Sequence, residues 1–164
     1  MFVFEIIDMT TTPAIETLAA LPDNSEEEAT SPLDVIETVI SSLEQEGTAM
    51  VNHSDDGHLW KFKYGSVDVF VQLSGETDED TLTVWSPVHK LPVQNEADMM
   101  RKLLEMNCGN TFEACFGLLE DSVVVFSART LMDINPSEIS RLMTIVASIA
   151  DENDEELLKN YPAA

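Results

Sequence analysis

The chain is poor in positive charge. Eight Lys and Arg residues stand against 31 Asp and Glu among 164 residues, for a formal net charge of −23. Nucleic acid is held mainly by Lys and Arg that release its counterions. Only Lys61 with Lys63 and Arg101 with Lys102 come close together in the sequence. That excludes DNA or RNA as an unaided partner and disfavours anionic membrane surfaces. The acidic excess itself reads as a solvated surface that keeps the chain soluble.

Cysteine is nearly absent. Cys108 and Cys115 are seven positions apart, without the close pairing of a zinc knuckle. They read as reduced, structural thiols of a cytoplasmic protein, buried or half-buried. Long apolar runs are missing too. Leu142 to Ala150 is about half the length of a spanning helix. Met1 to Asp8 is apolar but has no basic flank, and Glu5 and Asp8 interrupt it, so it does not read as a secretory signal.

Catalytic patterns are lacking. The six glycines are isolated and form no phosphate loop. No nucleophile-elbow serine or paired-histidine zinc motif occurs. The one candidate metal cluster is His53-Ser54-Asp55-Asp56-Gly57-His58. Its Asp-Gly step favours a tight hairpin turn without any ligand. The chain therefore reads as non-enzymatic, with no catalytic residue, metal or cofactor. A metal-dependent enzyme built on the His53–His58 loop stands as the contrary reading.

What is present is a 44% hydrophobic fraction, enough for one core. Residues 1–30 read as an N-terminal arm that ends in an acidic, mobile linker around Pro22 to Glu28. Residues 31–161 read as the folded domain. Ser31, Pro32 and Asp34 start a helix with Leu33, Ile36, Val39, Ile40 and Leu43 on one face, closed by Gly47. Strands are predicted at 48–52, 59–64, 67–73 and 81–88, the middle two in strict alternation. A second helix is predicted from Asn95 to Asn107. Two strands follow at 111–119 and 122–129, with Glu120-Asp121 as their turn. Val123 to Phe126 is apolar on both faces, which predicts cover on both sides. Asn135, Pro136 and Glu138 open a third helix through a capping-box pattern. It carries Ile139, Leu142, Met143, Val146, Ile149 and Ala150, and a break near Asn153 is one way it could end. The expectation is α+β: an antiparallel sheet of five to six strands flanked by helices, in the order helix, three or four strands, helix, two strands, helix.

Two groups stand out as an interaction surface. If the valines of 67–73 and 81–88 face the core, Phe70 and Trp85 face outward among Ser66, Asp68, Gln72, Thr81 and Thr83. Cover by the arm or a helix is the equal alternative. Met99, Met100, Leu103 and Met106 make a broad apolar surface on the second helix, suited either to a variable partner or to core filling. Asp68 is expected to be solvated, and Arg129 to sit in a surface ion pair.

Leu103-Leu104-Glu105-Met106-Asn107, Phe112-Glu113-Ala114-Cys115-Phe116, Val123-Val124-Val125-Phe126 and Arg129-Thr130-Leu131 together resemble the YbjN family. The tail from Ile149 to Leu157 fits as well. Trp85-Ser86-Pro87-Val88 with Leu91-Pro92 is similar to its cyanobacterial members. The resemblance covers about residues 33–161. It implies a regulator of sensory transduction whose fold is similar to type III secretion chaperones, commonly dimeric, and it transfers no catalytic residue. The combined expectation is a homodimeric, chaperone- or adaptor-like protein that holds a segment of another protein in an apolar groove or on a sheet edge. A regulator of a stress or signalling pathway without chaperone activity is the alternative.

Overall fold

The computed structural model describes residues 31–44, 47, 49–54 and 57–164. The arm and linker expected at 1–30 lie outside the described residues, as do Asp55, Asp56 and the side chain of His53. The elements are α1 (Pro32–Leu43), β1 (Met50–Ser54), β2 (Gly57–Tyr64), β3 (Val67–Leu73), β4 (Thr81–Lys90), α2 (Glu96–Met106), β5 (Cys115–Leu119), β6 (Ser122–Thr130) and α3 (Pro136–Asn160). The six strands form one antiparallel sheet in the order β1-β2-β3-β4-β6-β5. The expected α+β order is observed, with four strands before α2.

Alternation decides which sheet face is covered. Trp60 and Phe62 of β2, Val67, Val69, Val71 and Leu73 of β3, and Leu82 and Val84 of β4 are all buried, as are Val123 and Val125 of β6. Against them packs α3, lying across β4 and its neighbours β3 and β6, while α1 packs on α3. Val35, Ile36, Val39 and Ile40 are the face of α1 that closes this layer. Each fully buried aliphatic side chain here contributes about 1.5–3 kcal/mol before entropy is counted.

Local signals explain most boundaries. Ser31 Oγ accepts from the Asp34 amide at 3.2 Å at the start of α1. The reciprocal bonds between Asn135 and Glu138 form a complete capping box on α3. Others differ from expectation. Helix α1 ends at Leu43 with Glu44 extended, and Gly47, at φ +67°, lies beyond the helix rather than capping it. Asn95 sits in left-handed geometry and makes no side-chain cap on α2. β5 begins only at Cys115, because Phe112 at φ +52° turns the chain before it. Helix α3 runs unbroken for 25 residues. Its acidic stretch opposes the helix dipole, but Leu157 is buried and Lys159 lies in the last turn. Ion pairing of Lys102 with Glu156 also ties this end of α3 to α2.

The β2–β3 turn is fixed to α3. Gly65 has φ +53°, and a Cβ there would collide with the Asp151 carboxylate. That carboxylate accepts from the Ser66 amide at 2.7 Å. Gly65→Ala should therefore destabilise by about 1–3 kcal/mol, through strain and loss of that bond. Gly109→Ala, where a Cβ meets nothing within 4 Å, should fall within about 0.5 kcal/mol of the parent. Urea titrations of the two variants make the comparison.

Candidate functional site: the outer face of the sheet

The face opposite the helices is built by register. Lys61 pairs with Phe70, Phe70 with Trp85, Trp85 with Phe126 and Phe126 with Cys115. One transverse row thus crosses β2, β3, β4, β6 and β5. Phe70 and Trp85 stack with centroids 5.4 Å apart and planes 10° from parallel. Lys61 Nζ lies 5.5 Å from the Phe70 centroid and 3.0 Å from Asp68 Oδ2. The cation therefore caps one end of the aromatic row and is held there by the one acid beside it.

Next to the row is a shallow groove of about 430 Å³. Trp85, Phe126, Val124, Leu118 and Leu119 supply its apolar lining, and Gln72 and Thr83 its polar wall. Phe126 is 37% exposed, Leu119 49% and Leu118 60%. Among the described residues, α1 and α3 pack on the opposite face. The uncovered surface is apolar at its centre and polar at its margin, as protein-binding surfaces are.

By register, the outward positions of the described strands carry Lys61, Lys63 and Lys90 and a single acid, Asp68. In a chain where acids outnumber cations 31 to 8, this face has the opposite balance. Asp68 is exposed and ion-paired, in keeping with its expected solvated position.

The expected site residues divide. Phe70 and Trp85 come together on this face, with half-buried side chains. Met99, at 0% exposure, and Leu103, at 4%, are core residues instead, because the inner side of α2 points into the hydrophobic layer. Met100 and Met106 are half-buried against that layer. The large exposed apolar residue of α2 is Leu104, which with Ala97, Met100 and Cys108 lines a separate shallow hollow. The cover expected on both sides of β6 holds for Val123, Val124 and Val125 but fails at Phe126. Cys108 is exposed rather than buried, and Cys115 is half-buried at the end of the aromatic row. Phe126, Leu118 and Leu119 escaped the sequence reading, since their place beside Trp85 depends on β6 pairing with β4. Arg129 pairs with Glu138 at 3.4 Å, the surface ion pair expected of it.

Perturbed carboxylates lie away from this face. Hydrogen bonds from Thr77, then Ser74, hold Asp80 below the usual carboxylate range. The hydrogen-bonded Arg141 guanidinium does the same for Glu113, and Lys102 for Glu156. Folded-state values that are lowered give stability that is complete at neutral pH. It disappears as pH falls below about 4, through those lowered values. Glu113→Gln should therefore lose less of its urea midpoint than the parent between pH 5 and pH 2.5. Among the described residues no cluster of three metal-ligating side chains occurs, and no helix is long and apolar enough to cross a membrane. Of the His53–His58 loop, Asp55, Asp56 and the side chains of His53 and Ser54 lie outside the described residues; its flanks pair His53 with His58 across β1 and β2.

Among the described residues, fold and surface define an α+β protein with helices packed against one face of an antiparallel sheet and an aromatic row left open on the other. The sequence matches the YbjN family, described as "Putative bacterial sensory transduction regulator", over residues 32–159, and the chain belongs to that family. Among solved structures, a chain of the ExsC–ExsE complex is similar to it at 15% identity and a TM-score of 0.47, over 76% of this chain and 93% of that one. No curated protein matches the chain.

Proposed function

We propose that the chain is a non-catalytic protein-binding module, chaperone- or adaptor-like, that takes an apolar segment of another protein on the outer face of its sheet. The observation that carries this reading is the Phe70–Trp85–Phe126 row with its adjoining groove, uncovered by any described helix. Aromatic anchors in an acid-poor patch supply desolvation energy at small electrostatic cost. Neither the aromatic row nor the groove brings together convergent ionisable groups of the kind acid–base or nucleophilic chemistry requires. The family description favours a regulatory setting for this binding, and a cytoplasmic site of action fits the two free thiols.

The active form in this proposal is a homodimer. β5 is the last strand of the sheet, and Cys115-Phe116-Gly117-Leu118-Leu119 carries neither a charge nor a proline. Those are the devices by which sheet edges are kept from pairing. Light scattering should give twice the 18.2 kDa chain mass, and Leu118→Lys should return the monomer. A monomeric parent at tens of micromolar would remove the dimer from the proposal. For the binding face, a photoreactive residue in place of Thr83 should link one partner in extracts of the native cell. The same substitution on a Trp85→Ala background should not. Equal labelling of both would place the binding surface elsewhere.

A further inference from the structure

Asn107 closes part of the sheet edge. Its Oδ1 accepts from the Phe116 amide at 2.7 Å, and its Nδ2 donates to the Phe116 carbonyl at 3.1 Å. One carboxamide thus makes the two bonds that a residue of a neighbouring strand makes in an antiparallel ladder. In such a ladder alternate residues direct their N–H and C=O to opposite sides. Phe116 therefore points both groups away from β6, and by alternation so does Leu118. Cys115, Gly117 and Leu119 point theirs at Phe126, Val124 and Ser122. Of the two edge-facing residues of β5, the Asn107 side chain holds one, and the other is open among the described residues.

The occupant this edge fits is a second β5. The chain carries a net charge of −23, yet Cys115–Leu119 holds no charged residue, so two copies meet there without like charges in the ladder. A twofold axis at Gly117 sets Phe116 against Leu118 of the second copy, and the reverse, so that every edge-facing group pairs. Gly117 then meets its own copy across the axis. A Cβ on Gly117 touches nothing within 4 Å, and each groove is lined by this residue, so the two grooves run into one another there. That pairing cannot form while Asn107 holds Phe116. We propose that Asn107 gates the β5 edge: its carboxamide stands in for a strand in the monomer and swings out when β5 of a second copy pairs. This rests on the reading of β5 as the dimer edge, and adds the side chain that sets the strength of the dimer. Asn107 ends α2, whose buried residues are Met99 and Leu103. With so small a buried face, the last turn of α2 can yield without disturbing the sheet.

Sedimentation equilibrium of the full chain tests it. Asn107→Ala, which suits the helical backbone of that position, should dimerise at least about tenfold more tightly than the parent, because two hydrogen bonds per copy no longer compete. Adding Leu118→Lys should abolish the gain. In the parent, the side-chain amide resonance of Asn107 should move with protein concentration, in step with dimerisation. That of Asn153, bonded to the Ile149 carbonyl within α3, should stay in place. If Asn107 only anchors α2, Asn107→Ala dimerises no more tightly than the parent and the Asn107 resonance ignores concentration; either result overturns the inference. A parent dimer that Leu118→Lys dissolves and Asn107→Ala does not tighten sinks the gate and leaves the dimer reading standing. A monomeric parent beside a dimeric Asn107→Ala supports the gate and removes the dimer as the resting form. Monomers throughout overturn the inference and leave β5 to a strand of another protein.

Discussion

Trp60→Ala should remove about 3–5 kcal/mol of folding stability, while Trp85→Ala removes less than about 1 kcal/mol. The two indoles differ in address, not in chemistry. Trp60 is 1% exposed, stacked on His58 at 5.6 Å and packed in the hydrophobic layer beneath the helices. Truncation there leaves a cavity the size of an indole in a close-packed interior. Against the 5–15 kcal/mol that ordinarily separates folded from unfolded chains, a loss of that size leaves a marginal protein. Trp85 is two strands away and on the opposite face, where it stacks on Phe70. Its truncation opens no cavity. Trp60→Phe is the informative intermediate: Trp60 Nε1 is buried and finds no hydrogen-bond partner among the described residues. Replacing the indole by a phenyl ring deletes that orphan donor along with some volume, so the two effects oppose. The expected loss is under about 2 kcal/mol, well short of the alanine value. Urea or thermal titrations of the three variants decide it. Equal losses at 60 and 85 would mean that the outer face is part of the folding core.

How far the sequence alone reached follows from the range of each signal. Helix starts at Ser31 and Asn135 were legible because capping is local, resolved within four residues. The bounds of β3 were legible because strict alternation from Val67 to Leu73 meets turn residues at both ends. Errors fell where local preference met a tertiary constraint. Asn95 is a good cap by type, yet the backbone after β4 places it in left-handed geometry. The end of α3 was open between a break near Asn153 and continuation to Leu158, and it continues because burial of Leu157 outweighs the acidic run before it. For the site, Phe70 and Trp85 could be found by parity within their own strands. Phe126 could not: Val123 to Phe126 is apolar at every position, so no parity is visible. Only the pairing of Trp85 with Phe126 shows that its ring faces outward. The methionines of α2 stayed open between core and surface for a related reason. Met99 and Met100 are adjacent, and a helix sends adjacent residues to different sides, so composition could not say which one is buried.

Joint replacement of Trp85 and Phe126 by alanine should weaken partner binding by at least about 30-fold, the equivalent of 2 kcal/mol or more at a hot spot. Phe70→Ala alone should have a smaller effect. Phe70 is sandwiched between Lys61 and Trp85, so its loss leaves the groove walls standing. Trp85 and Phe126 form those walls together with Leu118 and Leu119. Removing both rings flattens the groove and exposes its floor to water, which withdraws the desolvation that makes such anchors effective. The charged rim should behave differently. Lys63→Gln should change association rate and salt dependence more than dissociation rate, since rim charges steer encounter and long-range attraction is screened within about 8–10 Å. The crosslinked partner, once recovered, supplies the probe, and its binding to immobilised full-length chain gives both rates. A double variant that binds within threefold of the parent would show that the aromatic row is not the contact surface. The exposed Leu104 side of α2 would then be the surface to test.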